Sequence, residues 1–572
     1  MYSILTVQNH LTEVLKDCLN KTFQISVTEI KIDTPSHKQN GDLTCNIAMQ
    51  LAKQLNQNPR EIATKIISQL ELPQSISKVE VAGPGFLNFF LSNQYLYNYL
   101  NQFSEHKFAS KAQSTKPTIV EYSQPNIAKP LGIHHIITTV LGQSISNIGR
   151  FVGSNILSFN YLGDYGTQFG KLIVAIEKYN QKPISELSIQ DLLDLYVKFH
   201  KEAETNPELE DLGRQKSFAL ENNDPSIREI WQVILEISRQ DMQQVYDMLG
   251  GIEFDVVDSE SQRIPMLAEL LEEGKKSEIF HVGEKGAFIV EYPEESNLPP
   301  LLVQRSDGAT VYATRDIATV KHRIQNYQPE EIIYVVDYAQ SLHFKQFFAA
   351  AKMFDWYNPA TNLTHLSFGR MSFKSMAMST RKGQIVKLSD VIRESEEKVE
   401  SVIKEKNPNL ENIKDTANAV GVGALKFAIL NTSPGKDIIF DKDQMLSFEG
   451  NTGPYLQYTY ARICSVFRKL NKDLILSQDT NSEMSEQEKQ LLKKLTFFKS
   501  VCLQAWNTRK PNTLCVYLFE LAQEFNSFYA NHPIITADTP ELQLIRVKLT
   551  KAVQTTLRQG LELLGIKTVS EM

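Results

Sequence analysis

The chain has 572 residues, of which 42% are apolar and 22% charged, and its formal net charge is −7. This composition is typical of a globular protein, and the length predicts about three or four domains. The negative charge argues against a protein that coats nucleic acid indiscriminately, although a local basic patch is compatible with an RNA partner. The 5 cysteines are scattered without a C-x-x-C pair, which fits a reducing compartment and offers no zinc or disulfide framework. The charge-interrupted N-terminus is not a signal peptide, and no apolar run reaches the roughly 20 residues that span a bilayer, so we expect a cytoplasmic protein.

Residues 1–105 form the first predicted unit, which is of α+β type. Helical periodicity at the start gives way to a strand-like run and then to a polar turn, residues 37–42, that contains Asn40. Two further helices precede a second strand-like run, residues 79–90, which a Gly-Pro-Gly sequence interrupts. A structural accessory role and a binding role are both compatible with this unit. The polar stretch 104–116 is interpreted as a linker.

The central unit begins with a strand, a polar turn and a helix. Residues 119–122 are β-prone, residues 123–126 favour a tight bend, and apolar residues recur at helical spacing from residue 133 to 148. This order opens a nucleotide-binding α/β unit, in which the first helical turn offers free N–H groups to a polyphosphate. Lys129, His134 and His135 lie at that end of the helix. They are interpreted either as groups that stabilise charge on a transferring phosphate or as ordinary surface residues.

The next segment contains a glycine-rich loop and then a long insertion. A predicted strand at residues 156–161 leads into this loop, residues 162–170, whose backbone can approach a ligand closely. Residues 178–262 are charged and mostly helical, so they are interpreted as an insertion into the nucleotide fold. Strand signals return at residues 286–292 and 301–304.

Polar residues recur where the predicted strands end. A helix from about residue 312 to 324 places Tyr312 and Asp316 on one face, and a buried-type strand follows it at residues 332–336. Because ligands bind at the carboxyl ends of strands in open α/β sheets, we expect the polar residues near these ends to converge. They are Glu121, Asn126, Asp164, Gln340 and His343. As a lone residue, Asp316 is equally compatible with a solvated helix surface.

Two later segments suggest contacts with phosphate and RNA. Residues 378–383 form a short basic loop that either closes over a bound phosphate or is an exposed turn. From about residue 415 the chain is nearly all helical. Residues 451–470 combine tyrosines with arginines, which is the pairing that stacks on bases and meets phosphates of single-stranded RNA. The alternative is that these tyrosines face the helical core.

These motifs, in this order, resemble class I aminoacyl-tRNA synthetases and most closely the arginyl-tRNA synthetase family. The resemblance covers essentially the whole chain and rests on EYSQPNIAKPL, YLGDYGTQFG, DGATVYATRDIA, MSTRKG, NTGPYLQYTYARICS and the terminal LLGI. It implies a multidomain α/β protein with a Rossmann-type parallel-sheet catalytic domain. The implied divisions are an N-terminal α+β domain (1–105), the catalytic domain (116–370) with a helical insertion at about 175–285, a signature-loop and connecting region (371–440), and an all-α anticodon-binding bundle (441–572).

The resemblance also implies a reaction and its partners. Arginine and ATP form arginyl-adenylate and pyrophosphate, and arginine then passes to the 3′ end of tRNA(Arg). Members of the family generally need bound tRNA before activation, and Mg²⁺ accompanies ATP without a tightly bound protein metal site. A monomer without DNA or membrane partners is expected.

Site residues are carried over by motif match alone. The arginine pocket would comprise Glu121, Asn126, Tyr312, Asp316 and Gln340. The catalytic set would comprise Lys129, His134, His135, Ser379, Arg381 and Lys382. The ATP site would comprise Pro130, Gly132, His135, Gly163, Asp164, His343 and Met378. The tRNA contacts would comprise Asn40, Tyr455, Gln457, Tyr458 and Arg462. Chemistry agrees for Asp316, since a carboxylate accepts charge-assisted bonds from a guanidinium.

The sequence departs from the family pattern at one signature. The H-x-G-H motif falls on residues 132–135, where Gly132 replaces the first histidine and His134 replaces the glycine. The other class I signature falls on residues 377–381 and lacks both of its lysines. In the family the later lysine is often missing, and the resemblance implies that Lys129 takes its place. Two alternatives therefore stay open, a tRNA-binding paralogue without activation chemistry and a class I synthetase for another amino acid.

Overall fold

The computed structural model describes residues 3–35, 37–103, 114–373, 386–470 and 483–572. The predicted fold class is confirmed, because a parallel sheet with helices lies between an N-terminal unit with an antiparallel sheet and a helical C-terminal region. Residues 104–113 of the predicted linker and the whole basic loop 378–383 lie outside the described residues. Within the described ranges no helix is both long and apolar enough to cross a membrane.

The N-terminal unit packs helices against an antiparallel sheet. Its elements are α1 (Ile4–Phe23), β1 (Ile32–Asp33), β2 (Leu43–Cys45), α2 (Ile47–Leu55), α3 (Pro59–Gln69), β3 (Ile76–Ala82), β4 (Phe86–Leu91) and α4 (Asn93–Gln102). The strand order is β1-β2-β4-β3. Helix α1 begins after Ser3, whose side chain accepts a hydrogen bond from the Thr6 N–H, and α3 begins with Pro59 in its first turn.

The central unit alternates strands and helices along the chain. Its first elements are β5 (Thr118–Glu121), α5 (His135–Val152), β6 (Ile156–Leu162), α6 (Thr167–Tyr179), α7 (Ile189–Ala203), α8 (Glu208–Glu221), α9 (Pro225–Met248), β7 (Val256–Ser259) and α10 (Ile264–Lys276). They continue with β8 (His281–Val282), β9 (Phe288–Val290), β10 (Leu301–Gln304), α11 (Tyr312–Tyr327), β11 (Glu331–Asp337), α12 (Ser341–Ala351), β12 (Asn362–Phe368) and β13 (Met371–Phe373).

The main sheet has the order β12-β11-β5-β6-β7, and its neighbouring strands are all parallel. Side chains alternate between its two faces, so Val120 packs with α5 while Ile119 belongs to the separate core formed with α10, α11 and α12. Both faces are therefore covered, as a parallel sheet requires. The carboxyl ends of β5, β6, β7 and β11 consequently meet along one edge.

Strand β7 was not predicted from the sequence. It lies within the segment interpreted as a helical insertion, yet it pairs in parallel with β6 at the edge of the main sheet. The helices between these strands, α6 to α9, pack mainly on one another. Because β7 has only 4 residues, it lacks the length over which an alternating pattern becomes recognisable. The exact limits of the insertion stay a prediction.

The C-terminal part is helical and packs against α5 of the central unit. Its elements are α13 (Leu388–Lys406), α14 (Ile413–Asn431), β14 (Ile438–Phe440), α15 (Lys442–Met445), α16 (Gly453–Lys469), α17 (Glu486–Thr496), α18 (Phe498–Thr508), α19 (Asn512–Asn531) and α20 (Pro540–Leu563). Helices α14, α18 and α20 contact α5. At Gly149 of α5 a Cβ atom would lie 2.6 Å from Cζ3 of Trp506, so the absence of a side chain permits this approach. Helix α5 is buried nearly all round because it lies between the sheet and the bundle.

Candidate active site

The loop that follows β5 adopts a strained backbone. Ser123, Gln124 and Ala128 have φ values of 73°, 49° and 69°, in the left-handed region that residues other than glycine rarely occupy. Buried hydrogen bonds hold the loop in this form, since the Ser123 N–H donates to Thr138 at 3.2 Å and the Gln124 N–H donates to Asn160 at 3.2 Å. Strain of this kind is typical of ligand-binding loops.

Glu121 closes the inner end of this region. Its carboxylate forms an ion pair with Arg323 of α11, and its Oε1 accepts a hydrogen bond from Gln124 at 2.6 Å. Burial raises the pKa of Glu121, while the positive charge of Arg323 acts in the opposite direction. The predicted pocket residue Glu121 is therefore already paired within the chain.

Asn126 and Gly163 bring two predicted loops into contact. They form a parallel bridge, and the Ile127 N–H donates to the Gly163 carbonyl at 3.1 Å. A Cβ atom at Gly163 would lie 2.5 Å from Oδ1 of Asn126, so a side chain at this position would displace the Asn126 amide. The Asn126 residue itself is exposed at the edge of the sheet.

Asp164 has a structural environment. Its carboxylate accepts hydrogen bonds from the Ser261 N–H at 2.8 Å and the Ser261 hydroxyl at 2.6 Å, and its carbonyl accepts one from Trp231 at 3.0 Å. Burial raises the pKa of Asp164, and the Ser261 bonds oppose this shift. The carboxylate thus ties the loop after β6 to the residues after β7, and its predicted contact with ATP stays a prediction.

The N-terminus of α5 presents two imidazoles. His134 caps the helix and is exposed, and its ring centroid lies 4.0 Å from that of His135. Burial lowers the pKa of His135 to about 3, and the neighbouring His134 contributes to the same shift. His135 is therefore a neutral imidazole at physiological pH. It can form hydrogen bonds to a phosphate but supplies no positive charge.

Lys129 and the buried Pro130 precede this helix. The Lys129 ammonium lies 4.7 Å from the ring centroid of Tyr196 on α7, and partial burial lowers its pKa. Gly132 is buried, and its N–H lies 3.2 Å from Nδ1 of His135. The lysine thus reaches toward the helical insertion in this structure.

The same loop is hydrogen-bonded to the segment after the second signature. The Ile133 N–H donates to the Val386 carbonyl at 3.0 Å, and the Leu388 N–H donates to the Leu131 carbonyl at 2.8 Å. Met378, Ser379, Arg381 and Lys382 themselves lie outside the described residues. These backbone bonds nevertheless anchor the C-terminal side of the signature loop beside the start of α5.

Helix α11 places Tyr312 and Asp316 on one face, as predicted. Tyr312 is 68% exposed, whereas the side chain of Asp316 is 31% exposed and its Oδ2 lies 2.6 Å from Nε2 of His343. His343 belongs to α12, and Gln340 lies exposed just before that helix. Asp316 is thus a carboxylate that a ligand can reach from solvent.

A further acid, partly buried, lies nearby and was not identified from the sequence. Glu260 follows β7 and forms an ion pair with Arg315 at 3.4 Å, and Arg315 stacks 4.7 Å from the ring centroid of Tyr312. Burial raises the pKa of Glu260 to about 7, against the charge of Arg315. No motif surrounds Glu260 in the sequence, so its position becomes evident only when β7 joins the sheet.

The candidate tRNA residues fall into different environments. Tyr458 is 41% exposed, and Arg462 lies 5.0 Å from its ring centroid and 5.6 Å from that of Tyr529. Tyr455 is partly buried and accepts a hydrogen bond from Asn526 at 2.9 Å. Gln457 is 0% exposed and donates to the carbonyls of Ala419 at 2.9 Å and Lys567 at 2.7 Å.

These environments separate the candidates into groups. Tyr458 and Arg462 form an accessible patch with Tyr529, which the sequence analysis missed. Gln457 holds helices together, and Asn40 lies partly buried in a short turn of the N-terminal unit. Within the described residues no cluster of three or more His, Cys, Asp or Glu side chains is arranged to hold a metal ion.

Comparisons with known proteins match all parts of this fold. Residues 98–442 match the family described as "tRNA synthetases class I (R), catalytic domain", residues 8–91 match the "Arginyl tRNA synthetase N terminal domain" and residues 456–572 match the "DALR anticodon binding domain". The chain belongs to the arginyl-tRNA synthetase family. The three matched ranges cover most of the N-terminal unit, the central unit with the parallel sheet and the C-terminal helical part.

Full-length relatives agree with this assignment. The chain is 38% identical to the arginine–tRNA ligase of Fusobacterium nucleatum and 39% identical to that of Halothermothrix orenii, in each case over 98% of this chain and 99% of the relative. The arginyl-tRNA synthetases of Plasmodium falciparum and Thermus thermophilus superpose with a TM-score of 0.83 at 25% identity, covering 99% of this chain and 99% and 100% of theirs. The hypotheses of an impaired paralogue and of a synthetase for another amino acid gain no support from these matches.

Proposed function

We propose that this chain activates L-arginine with ATP and attaches it to the 3′ end of tRNA(Arg). The observation that supports this most directly is the placement of Asp316. It is a partly exposed carboxylate on the same helix face as Tyr312, and its charge acts on Glu121 at the end of β5. A substrate guanidinium at Asp316 would lie near a triphosphate at the helix N-terminus.

Selection of arginine follows from the geometry of its guanidinium. Asp316 accepts two parallel N–H bonds from this planar fork, and the Oδ2 atom becomes available when His343 gives up its 2.6 Å contact. Lysine presents a single ammonium and leaves part of this arrangement unpaired, and neutral analogues leave the carboxylate without a cation. A pocket built on such bonds discriminates strongly without an editing site.

Activation needs no covalent bond to the protein. An oxygen of the arginine carboxylate attacks the α-phosphorus of ATP, and pyrophosphate leaves. Lys129 and the signature loop supply positive charge, while the neutral His135 donates a hydrogen bond to the phosphates; Mg²⁺ enters with ATP as its counterion. A hydroxyl of the terminal tRNA ribose then attacks the arginyl carbonyl, and AMP leaves. Catalysis is positioning and charge stabilisation.

Binding of tRNA involves the exposed aromatic patch of the bundle. Arg462 between Tyr458 and Tyr529 combines stacking surfaces with a phosphate partner. Gln457 is not part of this interface because its side chain is fully buried. A monomer in the cytoplasm stays our prediction.

The test of this function is the variant Asp316→Asn. The amide keeps the size of the side chain but loses its charge, so we expect kcat/KM for arginine to fall about 100-fold while KM for ATP stays unchanged. The measurement is arginine-dependent ATP–pyrophosphate exchange with tRNA present. The matched control is Asp247→Asn, which removes an exposed carboxylate from α9. An unchanged KM for arginine in Asp316→Asn would show that the pocket lies elsewhere.

A further inference from the structure

A guanidinium that belongs to the protein itself lies beside the arginine pocket. Arg323 of α11 is 0% exposed, and its Nη2 pairs with Oε2 of Glu121 at the end of β5. The ring centroids of Phe159, Tyr161 and Tyr334 lie 5.0, 5.6 and 5.4 Å from its guanidinium carbon. A carboxylate and aromatic rings therefore enclose a cation that solvent does not reach.

The same face of α11 runs from solvent down to this cation. Asp316, Thr319 and Arg323 follow one another at helical spacing, and their exposure falls from 31% for the Asp316 side chain to 3% for Thr319 and 0% for Arg323. The negative charge of Asp316 also acts on Glu121, so the two acids face the same region. We call Asp316 the accessible end of this face and the buried Glu121–Arg323 pair its floor.

A floor with this composition has a direct consequence for the substrate. Glu121 without a partner would be a second carboxylate able to attract the guanidinium of arginine. With Arg323 in place, the charge of Glu121 is neutralised. The guanidinium of the substrate could pair with Glu121 only if Arg323 were left buried without its partner. Gln124 fixes the remaining oxygen of Glu121 at 2.6 Å. The floor therefore offers the substrate no net negative charge.

We propose that Arg323 is a specificity-positioning residue of the arginine pocket, which neutralises Glu121 so that Asp316 alone receives the guanidinium of the substrate. This inference rests on the function proposed above. Arg323 acts on the substrate indirectly, by neutralising Glu121. The guanidinium of the bound arginine therefore lies at Asp316 and not one or two turns further along α11.

Other charged and titratable groups also face the pair. They are Asp316 and His322 on α11, Asp258 on β7, Tyr161 on β6 and Tyr334 on β11. Burial raises the pKa of Glu121, and Arg323 is the first opposing influence. Loss of Arg323 therefore makes Glu121 titrate at higher pH.

The decisive experiment compares Arg323→Met with the double variant Glu121→Gln/Arg323→Met. In Arg323→Met we expect the KM for arginine to fall with rising pH, because an unpaired Glu121 attracts the substrate cation. We expect kcat to fall about 100-fold, because the substrate is then held away from the phosphate. The double variant removes both charges, so it should lose this pH dependence and recover at least about tenfold in kcat. Arginine-dependent ATP–pyrophosphate exchange between pH 6 and pH 8.5 measures both quantities.

A merely structural role for Arg323 predicts a different pattern. The double variant would then be no better than Arg323→Met, kcat and KM for arginine and ATP would change together, and no new pH dependence would appear. Any of these results overturns the proposal. Should Arg323→Met fail to fold, the double variant and Arg323→Lys decide: recovery of activity in both supports charge neutralisation, and inactivity of both refutes it.

A matched control separates loss of charge at this site from loss of any buried ion pair. Arg546→Met breaks the buried Arg546–Glu488 pair of the helical bundle, whose atoms lie 2.8 Å apart, and should leave the pH profile for arginine unchanged. Failure of the proposed function itself would appear differently, as an absence of arginine-dependent exchange in the unmodified chain.

Discussion

Lys426 of α14 has a buried amine that links α5 to the C-terminal segment. It is 0% exposed, and its Nζ donates hydrogen bonds to Oε1 of Gln143 on α5 at 2.9 Å and to the Gly565 carbonyl at 2.6 Å. Burial lowers its pKa to about 7, and the neighbouring Lys567 contributes to the same shift. The folded chain therefore releases this proton near neutrality, whereas the unfolded chain keeps it until about pH 10.4.

The sign and size of the resulting pH dependence follow from this difference. Between the two pKa values the unfolded state binds more protons than the native state, so stability rises with pH in that window. Below the folded pKa both states are protonated, and the cost of burying the ammonium is fully present. From pH 7 to pH 9 the contribution of Lys426 to the free energy of unfolding increases by about 2 kcal/mol.

The variant Lys426→Met isolates this contribution. Urea unfolding followed by circular dichroism at pH 7 and pH 9 gives the stability of parent and variant, and their difference should move by about 2 kcal/mol in favour of the parent at the higher pH. The exposed Lys414 of the same helix provides the control, since Lys414→Met should leave the pH dependence of the parent unchanged. A parent–variant difference that is the same at both pH values would refute the conclusion that burial destabilises the charged amine.

Three further predictions concern the active site and the bundle. Gly163→Ala places a Cβ against Asn126, so kcat/KM for arginine should fall about 10- to 100-fold in steady-state aminoacylation; an unchanged value would show that the contact is dispensable. His135→Gln should reduce single-turnover adenylate formation about 10²- to 10³-fold without altering its pH profile from pH 5.5 to 7.5, because the imidazole is already neutral, and a changed profile would contradict that state. Arg462→Ala should raise KM for tRNA about tenfold and leave KM for arginine unaltered, whereas equal tRNA binding would remove the bundle patch from the interface.

The structure shows where the altered residue of the H-x-G-H signature lies. His134 replaces the family's glycine at the cap of α5, where its ring is exposed and lies beside that of His135. Burial lowers the pKa of His134, and the carboxylate of Asp337 acts in the opposite direction. The exchange therefore adds an imidazole at the N-terminus of α5, where we propose that the phosphates of ATP bind. We propose that Lys129, rather than these histidines, supplies positive charge to ATP.

Deleting the tail beyond residue 440 would not be a clean test of tRNA binding. The structure shows why point variants are preferable. Helices α18 and α20 cover the outer side of α5, and Trp506 packs directly on Gly149. Removing the tail would expose an apolar surface of the catalytic helix, so loss of charging would not separate tRNA binding from folding.

The sequence by itself determined the types of the main elements and which residues share one face of an element. The spacing of Tyr312 and Asp316 places them on one helix face whatever surrounds the helix, because the α-helical period is local. The family motifs were equally readable, since they lie within short continuous stretches.

Only the tertiary structure decided which of these side chains are accessible and which are already paired. Glu121 meets Arg323 across 202 positions of sequence. Gln457 is buried and donates hydrogen bonds to carbonyls of two distant segments. The short β7 is a strand because it pairs with β6. Periodicity indicates the buried face of an element but not its partner, because burial and charge pairing are set by contacts between segments far apart in the chain.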